Sequence, residues 1–232
     1  MELVINFSGG KDSTAMLAFI CEKYPDVKKH VVFADTGWEH TDAETWSRSM
    51  VARFGLPLHV VRNPNKTLLT MAERRGKFPG MKQRQCTSDL KRDPINTWIR
   101  QNVIDAVVVS CIGLRSEEST GRAKKLKLSR SARNTNSLRT VWEWLPIKDW
   151  STGQVLAYLE SKALPLHPAY SYLRRFSCRI CIYMTGQDLR QVQKYDPQAI
   201  DIIEKIEQKI GFTMFAGGPV RELAKPIPEL FP

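Results

Sequence analysis

The sequence predicts an α/β protein with a doubly wound parallel sheet and a helical C-terminal extension. Short apolar runs rich in β-branched residues alternate with helical patterns through the first half of the chain. Such alternation is typical of a parallel sheet with helices on both faces. The first run leads directly into a Gly-Gly turn and then a helical pattern, which predicts a strand–loop–helix unit. The 232 residues suffice for one such domain with an appended helical part.

The predicted elements of the first half follow in order along the chain. Strands are expected at Leu3–Phe7, His30–Ala34, Leu58–Val61 and Asp105–Cys111, and helices at Ser13–Tyr24, Asp42–Phe54 and Ser88–Gln101. Thr41 and Glu44 predict a capping box at the start of the second helix. Ligands of such sheets bind at the carboxyl ends of the strands, which is where Asp35 and Gly113 fall.

The second half is expected to be mainly helical. From Pro146 the pattern turns helical, and Ser151 with Gln154 predicts another capping box. One helix face is lined by Ala199, Ile202, Ile206 and Ile210, until Gly211 ends the helix. We therefore predict a nucleotide-binding domain over residues 1–145 and a helical region with a Cys-x-x-Cys motif over 146–232. Residues 62–87 and 115–139 are expected to be long basic connections, and the tail from Gly217 onward to be extended.

The most informative motif follows the first strand. It consists of Ser8, Gly9, Gly10, Lys11, Asp12, Ser13 and Thr14. Glycines let the backbone approach a ligand closely, and we expect Gly10 to adopt a positive φ. The unpaired N–H groups of the following helix, three hydroxyls and the Lys11 ammonium together predict a phosphate cradle. The spacing of the nucleoside-triphosphate P-loop is absent. The alternative is an ordinary glycine turn with a serine cap.

This loop resembles the pyrophosphate-binding loop of the N-type ATP pyrophosphatases and the phosphoadenosine phosphosulfate (PAPS) reductases. The resemblance continues in order through five further segments, Val31–Gly37, Cys86–Lys91, Gly113–Arg122, Pro146–Ser151 and His167–Tyr170. It covers roughly residues 2–185. It implies the adenine nucleotide alpha hydrolase-like, Rossmann-like fold, with ATP or PAPS and Mg²⁺ as ligands.

The resemblance also implies roles for individual residues. The nucleotide contacts would come from the Ser8–Thr14 loop together with Asp35, Thr36 and Gly113, and the catalytic groups would be Lys11, Asp12, Lys91, Arg115 and Arg122. Asp12 and Asp35 suit Mg²⁺ or ribose hydroxyls, since Mg²⁺ takes one or two carboxylates plus phosphate oxygens. Alternatively, Asp35 only caps a turn, and the two arginines are solvated loop charges.

Three cysteines are candidate metal ligands: Cys86, Cys178 and Cys181. Some family members hold a [4Fe–4S] cluster at these places, with a Cys-Cys pair upstream. Here Gln85 takes the first position of that pair, so three thiolates remain and one iron would be open, as in the tRNA-thiolating relatives. The alternatives are zinc with a fourth ligand such as His167, a redox dithiol, or buried thiols. Cys21 and Cys111 are assigned no function.

The charge distribution predicts a polyanionic partner. The net charge is +11, and residues 62–100 carry +7 while residues 113–139 carry +6. The family places both segments around the nucleotide, so we expect a nucleic acid to bind there. The alternative is a solvated basic face that serves a small phosphorylated substrate.

Composition also indicates where in the cell the protein is expected. No apolar run approaches the length that a bilayer needs, and the chain enters a strand at once, leaving no room for a signal peptide. The five cysteines do not suggest a secreted disulfide framework. We expect a cytoplasmic protein with no membrane partner.

The expected activity is splitting of ATP to AMP and pyrophosphate to activate an acceptor for sulfur transfer, with a sulfur-donor protein as a further partner. One alternative is thiol-dependent reduction of PAPS or APS to sulfite. The PAPS reductases, however, use the cysteine of a C-terminal Glu-Cys-Gly-x-His motif, and no cysteine follows Cys181 here. The other alternative is a nucleotide-binding subunit without turnover.

Overall fold

The computed structural model describes residues 1–176 and 178–226, and a six-stranded sheet lies at its centre. The strands are β1 (Glu2–Phe7), β2 (Lys29–Asp35), β3 (Leu58–Arg62), β4 (Val107–Ile112), β5 (Leu128–Arg130) and β6 (Thr140–Trp144). Their order across the sheet is β3-β2-β1-β4-β6-β5. All neighbours are parallel except β5, which is antiparallel to β6.

Helices precede, connect and follow the strands. They are α1 (Lys11–Lys23), α2 (Ala43–Ala52), α3 (Leu68–Arg75), α4 (Gln85–Thr87), α5 (Asp93–Asn102), α6 (Thr120–Ala123), α7 (Thr152–Ser161), α8 (Gly186–Tyr195), α9 (Pro197–Ile210) and α10 (Val220–Leu223). A π-helical segment, Ser88–Arg92, joins α4 to α5, and 3₁₀ turns lie at Ser116–Glu118 and Pro168–Ser171. No helix in the described part of the chain combines the length and apolar character that crossing a membrane requires.

Alternate residues of β1 pack on opposite faces of the sheet, which confirms the doubly wound α/β fold. Ile5 belongs to the large core cluster that contains Leu17 of α1. Val4 belongs to a second cluster with Ile95 and Ile99 of α5. A parallel sheet with helices on both faces needs near-continuous apolar strands, and this requirement explains the composition of β1 and β2.

The register of the central strands positions the site. Phe7 is paired with Phe33, so β1 and β2 end side by side. The Ser8–Thr14 loop follows β1, and Asp35 ends β2. Asn6 is paired with Ile112 of β4, which brings Gly113 to the same edge.

The second half of the sheet differs from the prediction. The four predicted strands are confirmed within two residues at each end, but β5 and β6 were not predicted. The two basic connections were expected to be loops, which is wrong in part, because they contain α3, α4, α6 and β5. Strand β5 is ordered by its antiparallel pairing with β6, which in turn pairs with β4, and helix α3 begins with a capping box at Thr67 and Thr70.

The capping predictions had mixed outcomes. The Ser151–Gln154 box is confirmed at α7, and α9 ends at Gly211 with φ of 66°. The Thr41–Glu44 box is wrong, because Asp42 precedes α2 and its carboxylate binds His40 and His167 rather than the backbone.

The prediction of an extended tail from Gly217 onward is also wrong in part, because the tail contains α10. Residues 227–232 lie outside the described residues. The domain boundary at residue 145 remains a prediction.

Candidate nucleotide and cysteine site

The loop after β1 owes its shape to Gly9. This residue has φ of +74°, and a Cβ there would lie 2.7 Å from Ser47 Oγ and 3.0 Å from Phe176 Cε1. Gly10 has φ of −79°, so the expectation of a positive φ at Gly10 was wrong by one residue. Helix α1 begins at Lys11, so the N–H groups of its first turn, of which that of Lys11 is bonded to Tyr170, lie next to the loop.

The loop hydroxyls are bonded within the loop itself. Ser13 Oγ and Thr14 Oγ1 both donate to the Gly10 carbonyl, at 2.9 and 3.1 Å. Ser8 N–H and Ser8 Oγ each lie 3.2 Å from Ser13 Oγ. Ser13 and Thr14 are buried. These side chains therefore hold the turn closed, and their direct contact with a phosphate stays a prediction.

Two aromatic side chains support the loop from outside it. Trp46 Nε1 donates to the Gly9 carbonyl at 3.0 Å, and Lys11 N–H donates to the Tyr170 hydroxyl at 2.9 Å. Burial raises the pKa of Tyr170, so its phenol keeps a proton. The contacts of Trp46 and Tyr170 with the loop were not predicted, because nothing local in the sequence signals contacts across the fold.

Asp12 is held by two cations. Its Oδ1 accepts from Arg115 Nε at 2.6 Å, and its Oδ2 accepts from Lys11 Nζ at 2.7 Å. Arg115 is only 3% exposed and also binds Glu117 at 2.6 Å and Thr152 Oγ1 at 3.1 Å. Burial alone would lower the pKa of Arg115, but Asp12, together with Glu117 and Glu118, outweighs it and the pKa is raised. Arg115 thus ties Asp12 to the start of α7.

Glu118 extends this network outward. Its carboxylate accepts the Arg115 backbone N–H at 2.9 Å and pairs with Arg122. Arg175 lies 3.8 Å from the same carboxylate. Gly113 lies behind the loop, where a Cβ would be 3.4 Å from the Asp12 backbone. The structure therefore brings Lys11, Asp12, Arg115 and Arg122 into one group around α1.

Asp35 and Thr36 are engaged in a turn. Asp35 Oδ1 accepts Gly37 N–H and its Oδ2 accepts from Arg62 Nε, both at 2.7 Å, which is the turn-capping arrangement. Thr36 is buried and donates to Glu39 at 2.9 Å. Asp35, Glu39 and Arg62 also line an open cleft of about 400 Å³, and the nucleotide roles of Asp35 and Thr36 remain predictions.

Three distant segments meet beside this turn and carry the cysteines. Cys178 forms a β-bridge with Glu39, and Trp38 Nε1 donates to the Ile180 carbonyl at 3.1 Å. Lys91 Nζ lies 3.2 Å from Glu39 Oε1. The segments around residues 39, 91 and 178 are thus in direct contact at the carboxyl edge of β2.

The cysteines interact electrostatically with Lys91 and Glu39. Burial raises the pKa of Cys178, and Glu39 raises it further, while Lys91 lowers it. Cys181 and Cys86 add smaller increases to the pKa of Cys178. Burial raises the pKa of Cys86 too, with Lys91 opposing it and Cys181 adding to it. Burial would lower the pKa of Lys91, but Glu39 and then Cys178 reverse this and leave it raised. Lys91 therefore stays an ammonium beside the thiols.

Within the described ranges of the chain, the cysteines do not form a set of three donors as close together as ligands of one zinc ion would be. Two ligands of one Zn²⁺ lie within about 4.6 Å of each other, since each Zn–S bond is about 2.3 Å. Among the described residues, a set of three donor atoms within 4.8 Å of one another occurs at His40, Asp42 and His167 and not at the cysteines. A cluster spreads its thiolate ligands over several irons. A cluster on Cys86, Cys178 and Cys181, with Lys91 as the nearby cation, therefore stays a prediction.

His167 does not fit as a metal ligand. Its Nδ1 accepts Ala169 N–H at 3.0 Å, and its Nε2 lies 3.0 Å from Asp42 Oδ2. A ligating imidazole donates its other N–H, but here the other nitrogen accepts a hydrogen bond. His167 is therefore a neutral donor to Asp42, and both the zinc interpretation with His167 and an ion at the His40–Asp42–His167 group lack support.

Comparison with known proteins places the chain in a family. The phosphoadenosine phosphosulfate reductase domain matches residues 2–181. An uncharacterized 37.8 kDa protein of Escherichia phage 186 is 24% identical over 254 residues, with 89% of this chain and 75% of that protein covered. A phosphoadenosine 5'-phosphosulfate reductase of Yersinia enterocolitica is 26% identical over 199 residues, with 84% and 72% covered.

A solved structure shares the fold. The U34-tRNA thiolase NcsA of Methanococcus maripaludis, determined with its [4Fe–4S] cluster, is similar with a TM-score of 0.52 and 16% identity, over 91% of this chain and 72% of that one. At this identity the likeness concerns the fold alone. The domain match, in contrast, spans most of the sequence and includes the loop, Asp35, Arg115 and all three clustered cysteines. The chain therefore belongs to the phosphoadenosine phosphosulfate reductase domain family.

Proposed function

We propose that the protein binds ATP through the Ser8–Thr14 loop and splits it to AMP and pyrophosphate, activating an acceptor oxygen for replacement by sulfur. The observation that carries this proposal is the joining of the loop to the cysteine group. Phe176 packs against Gly9 and precedes Cys178 by two residues. A phosphate cradle and three thiols therefore lie on adjacent parts of one surface.

The loop supplies the groups for the first half of the reaction. In this proposal the acceptor oxygen attacks the α-phosphorus, and pyrophosphate leaves toward the first turn of α1, where N–H groups stabilise anions. Lys11 exchanges its contact with Asp12 for a phosphate oxygen. Asp12 then holds Mg²⁺, which takes few protein carboxylates and keeps several waters. Arg115, whose guanidinium is fully engaged, keeps Asp12 in place as a positioning residue. Arg122 would contact a phosphate from the rim by exchanging its contact with Glu118.

The cysteine group supplies the second half. When bound, a [4Fe–4S] cluster held by Cys86, Cys178 and Cys181 would provide an iron open to an exogenous sulfur species. Lys91, which is paired with Glu39, would offset the negative charge of the thiolates. Sulfur then displaces AMP from the activated acceptor. A sulfur-donor protein and a nucleic acid acceptor are part of the proposal, the latter supported by the +11 net charge.

The second candidate is thiol-dependent reduction of PAPS to sulfite. It is favoured by the curated relative from Yersinia, whose name carries that activity. In this chain the attacking thiol would have to be Cys86, Cys178 or Cys181. The raised pKa of Cys86 and of Cys178 weakens each as a nucleophile in the metal-free protein, since the thiolate is the reactive form. A third candidate is a nucleotide-binding subunit without turnover.

Product analysis separates these candidates. Protein purified without oxygen is incubated with ATP, sulfide and an oligonucleotide acceptor, or with PAPS and a thiol, and pyrophosphate, AMP and sulfite are followed. The proposal expects equal amounts of AMP and pyrophosphate from ATP and no sulfite from PAPS. Sulfite from PAPS would establish the reductase instead, and tight binding of either nucleotide without any product would establish the subunit.

A further inference from the structure

An exposed tyrosine between two arginines lies beside the cysteine group. The guanidinium carbons of Arg84 and Arg175 are 5.9 and 5.7 Å from the centre of the Tyr183 ring. Both distances are within the range of about 6 Å at which a cation interacts with an aromatic face. Tyr183 is 36% exposed, and the side chain of Arg175 is 58% exposed. We call this group the Arg–Tyr–Arg platform.

The platform is continuous with the site on both sides. Arg175 and Tyr183 line the same small cavity as Cys181, and Arg84 precedes Cys86 by two residues. On the other side, Arg175 reaches Glu118, which in turn binds the backbone of Arg115. An occupant of the platform would therefore lie between the phosphate loop and the thiols.

The charge of the platform is poorly compensated. In the part of the chain that the structure describes, Arg84 has no carboxylate within 4.0 Å, and the one carboxylate near Arg175, Glu118 at 3.8 Å, is already paired with Arg122. Lys124 and Lys125, which directly follow α6, are exposed. Neither has a carboxylate partner among the described residues. Two uncompensated guanidinium groups at one ring favour an anion that also presents flat surfaces.

We propose that the Arg–Tyr–Arg platform binds a single-stranded polynucleotide and directs one of its nucleotides to the thiols. Guanidinium planes and tyrosine rings stack on unpaired bases, while the cationic groups contact the phosphates that link them. An acidic peptide would satisfy the charge but leave the ring unused. The inference rests on the proposed function only in taking nucleic acid as the acceptor. Binding itself needs neither ATP nor a cluster.

The test is a binding titration by fluorescence anisotropy with a labelled twelve-nucleotide RNA, the matching DNA, and the duplex of each. We expect the single strands to bind and the duplexes to bind more weakly. Arg84→Ala combined with Arg175→Ala should weaken binding at least tenfold and reduce the salt slope by about 1.4, because each lost single-strand phosphate contact removes about 0.7. Tyr183→Ala should weaken binding about tenfold, whereas Tyr183→Phe should not.

Arg53→Ala is the matched control, because Arg53 is exposed at the end of α2, outside this surface. Calorimetry with ATP shows whether each variant keeps its nucleotide site. Equal binding and slope in the double variant, or equal competition by polyglutamate, would overturn the platform. Binding of both RNA and DNA would establish that the platform recognises single-stranded polynucleotides in general. A preference for one of them would identify which polynucleotide it binds.

The failure of the platform and the failure of the proposed function are distinguishable. A protein that splits ATP without binding the oligonucleotide would refute the platform alone. A protein that binds the oligonucleotide without splitting ATP would refute the proposed activity alone.

Discussion

The phosphate loop and the cysteine group lie side by side but are built in different ways. The loop is continuous in sequence, and its turn is closed by hydrogen bonds among Ser8, Gly10, Ser13 and Thr14. The cysteine group is assembled from segments near residues 39, 91 and 178, joined by an ion pair and a β-bridge. The loop is thus preformed by backbone geometry, while the cysteine group depends on buried charge. The two regions should therefore fail under different changes.

The largest expected effect separates the regions by metal content. Replacing Cys86, Cys178 or Cys181 singly by Ser should abolish iron and acid-labile sulfide in protein purified without oxygen, because a cluster with two thiolates is not retained. ATP affinity measured by calorimetry should stay within about threefold, because the loop does not use these thiols.

Cys21→Ala and Cys111→Ala serve as controls for the cysteine variants. Both thiols lie apart from the group, and Cys111 is fully buried at the end of β4. Both variants should keep their iron and sulfide. A colourless parent protein with stoichiometric zinc would contradict the cluster.

The converse change disrupts the loop and spares the metal. Gly9→Ala should abolish measurable ATP binding, because the added Cβ meets Ser47 Oγ at 2.7 Å in a backbone with φ of +74°. Gly55 is the matched control, since it has φ of +66° with nothing within 4 Å of an added Cβ. Gly55→Ala should cost only about 1–2 kcal/mol of stability and leave binding intact. Equal ATP binding by both variants would show that Gly9 does not shape a phosphate site.

A smaller effect tests the connection of Asp12 to α7. Arg115→Lys keeps the charge but cannot reach Asp12, Glu117 and Thr152 together. Turnover should fall about 100-fold, as for a misplacement of about 1 Å, while ATP affinity changes only severalfold. Arg48→Lys, at an exposed pair with Glu44, should change neither, since such pairs contribute little. Loss of affinity in proportion to turnover would indicate direct contact between Arg115 and phosphate.

These two regions also show what the sequence could predict. The loop, the strands β1 to β4 and α1 follow from contiguous residues, so local pattern was sufficient for them. Strand β6, which pairs with β4, was missed although its Thr-Val-Trp-Glu-Trp sequence is rich in β-branched and aromatic residues and follows the turn-forming Asn-Thr-Asn-Ser run of residues 134–137. The positive φ was predicted at Gly10 but lies at Gly9. Either glycine could adopt it, and the neighbours Ser47 and Phe176, which distinguish Gly9, come from other parts of the chain. The partners of the thiols, Glu39 and Lys91, are set by tertiary contacts and could not be derived from spacing.

The smallest expected effect concerns pH. Burial lowers the pKa of His167 below its ordinary value of 6.5, against the opposing effect of Asp42. His167 is thus neutral when folded, and its stabilising contribution is present above about pH 6.5 and lost as the pH falls below it. Its neighbours His40 and Asp42 share the same network.

His167→Asn isolates this contribution, because the amide oxygen of Asn can still accept Ala169 N–H. Between pH 6.5 and 5.5 the Tm of the parent should fall a few degrees further than that of the variant, since one group contributes at most about 1.4 kcal/mol per pH unit. His59 has the same sign and is present in both proteins, so it cancels. Parallel Tm curves would show that His167 does not titrate with unfolding.

The most direct test of the central claim is exchange of labelled pyrophosphate into ATP. Attack at the α-phosphorus with pyrophosphate leaving toward α1 is reversible while the acceptor stays adenylated. With Mg²⁺, ATP, an oligonucleotide acceptor and no sulfur source, the account predicts label in ATP, and predicts loss of that label in Asp12→Asn despite retained ATP binding. ADP and orthophosphate as products, or sulfite from PAPS with no exchange, would contradict it.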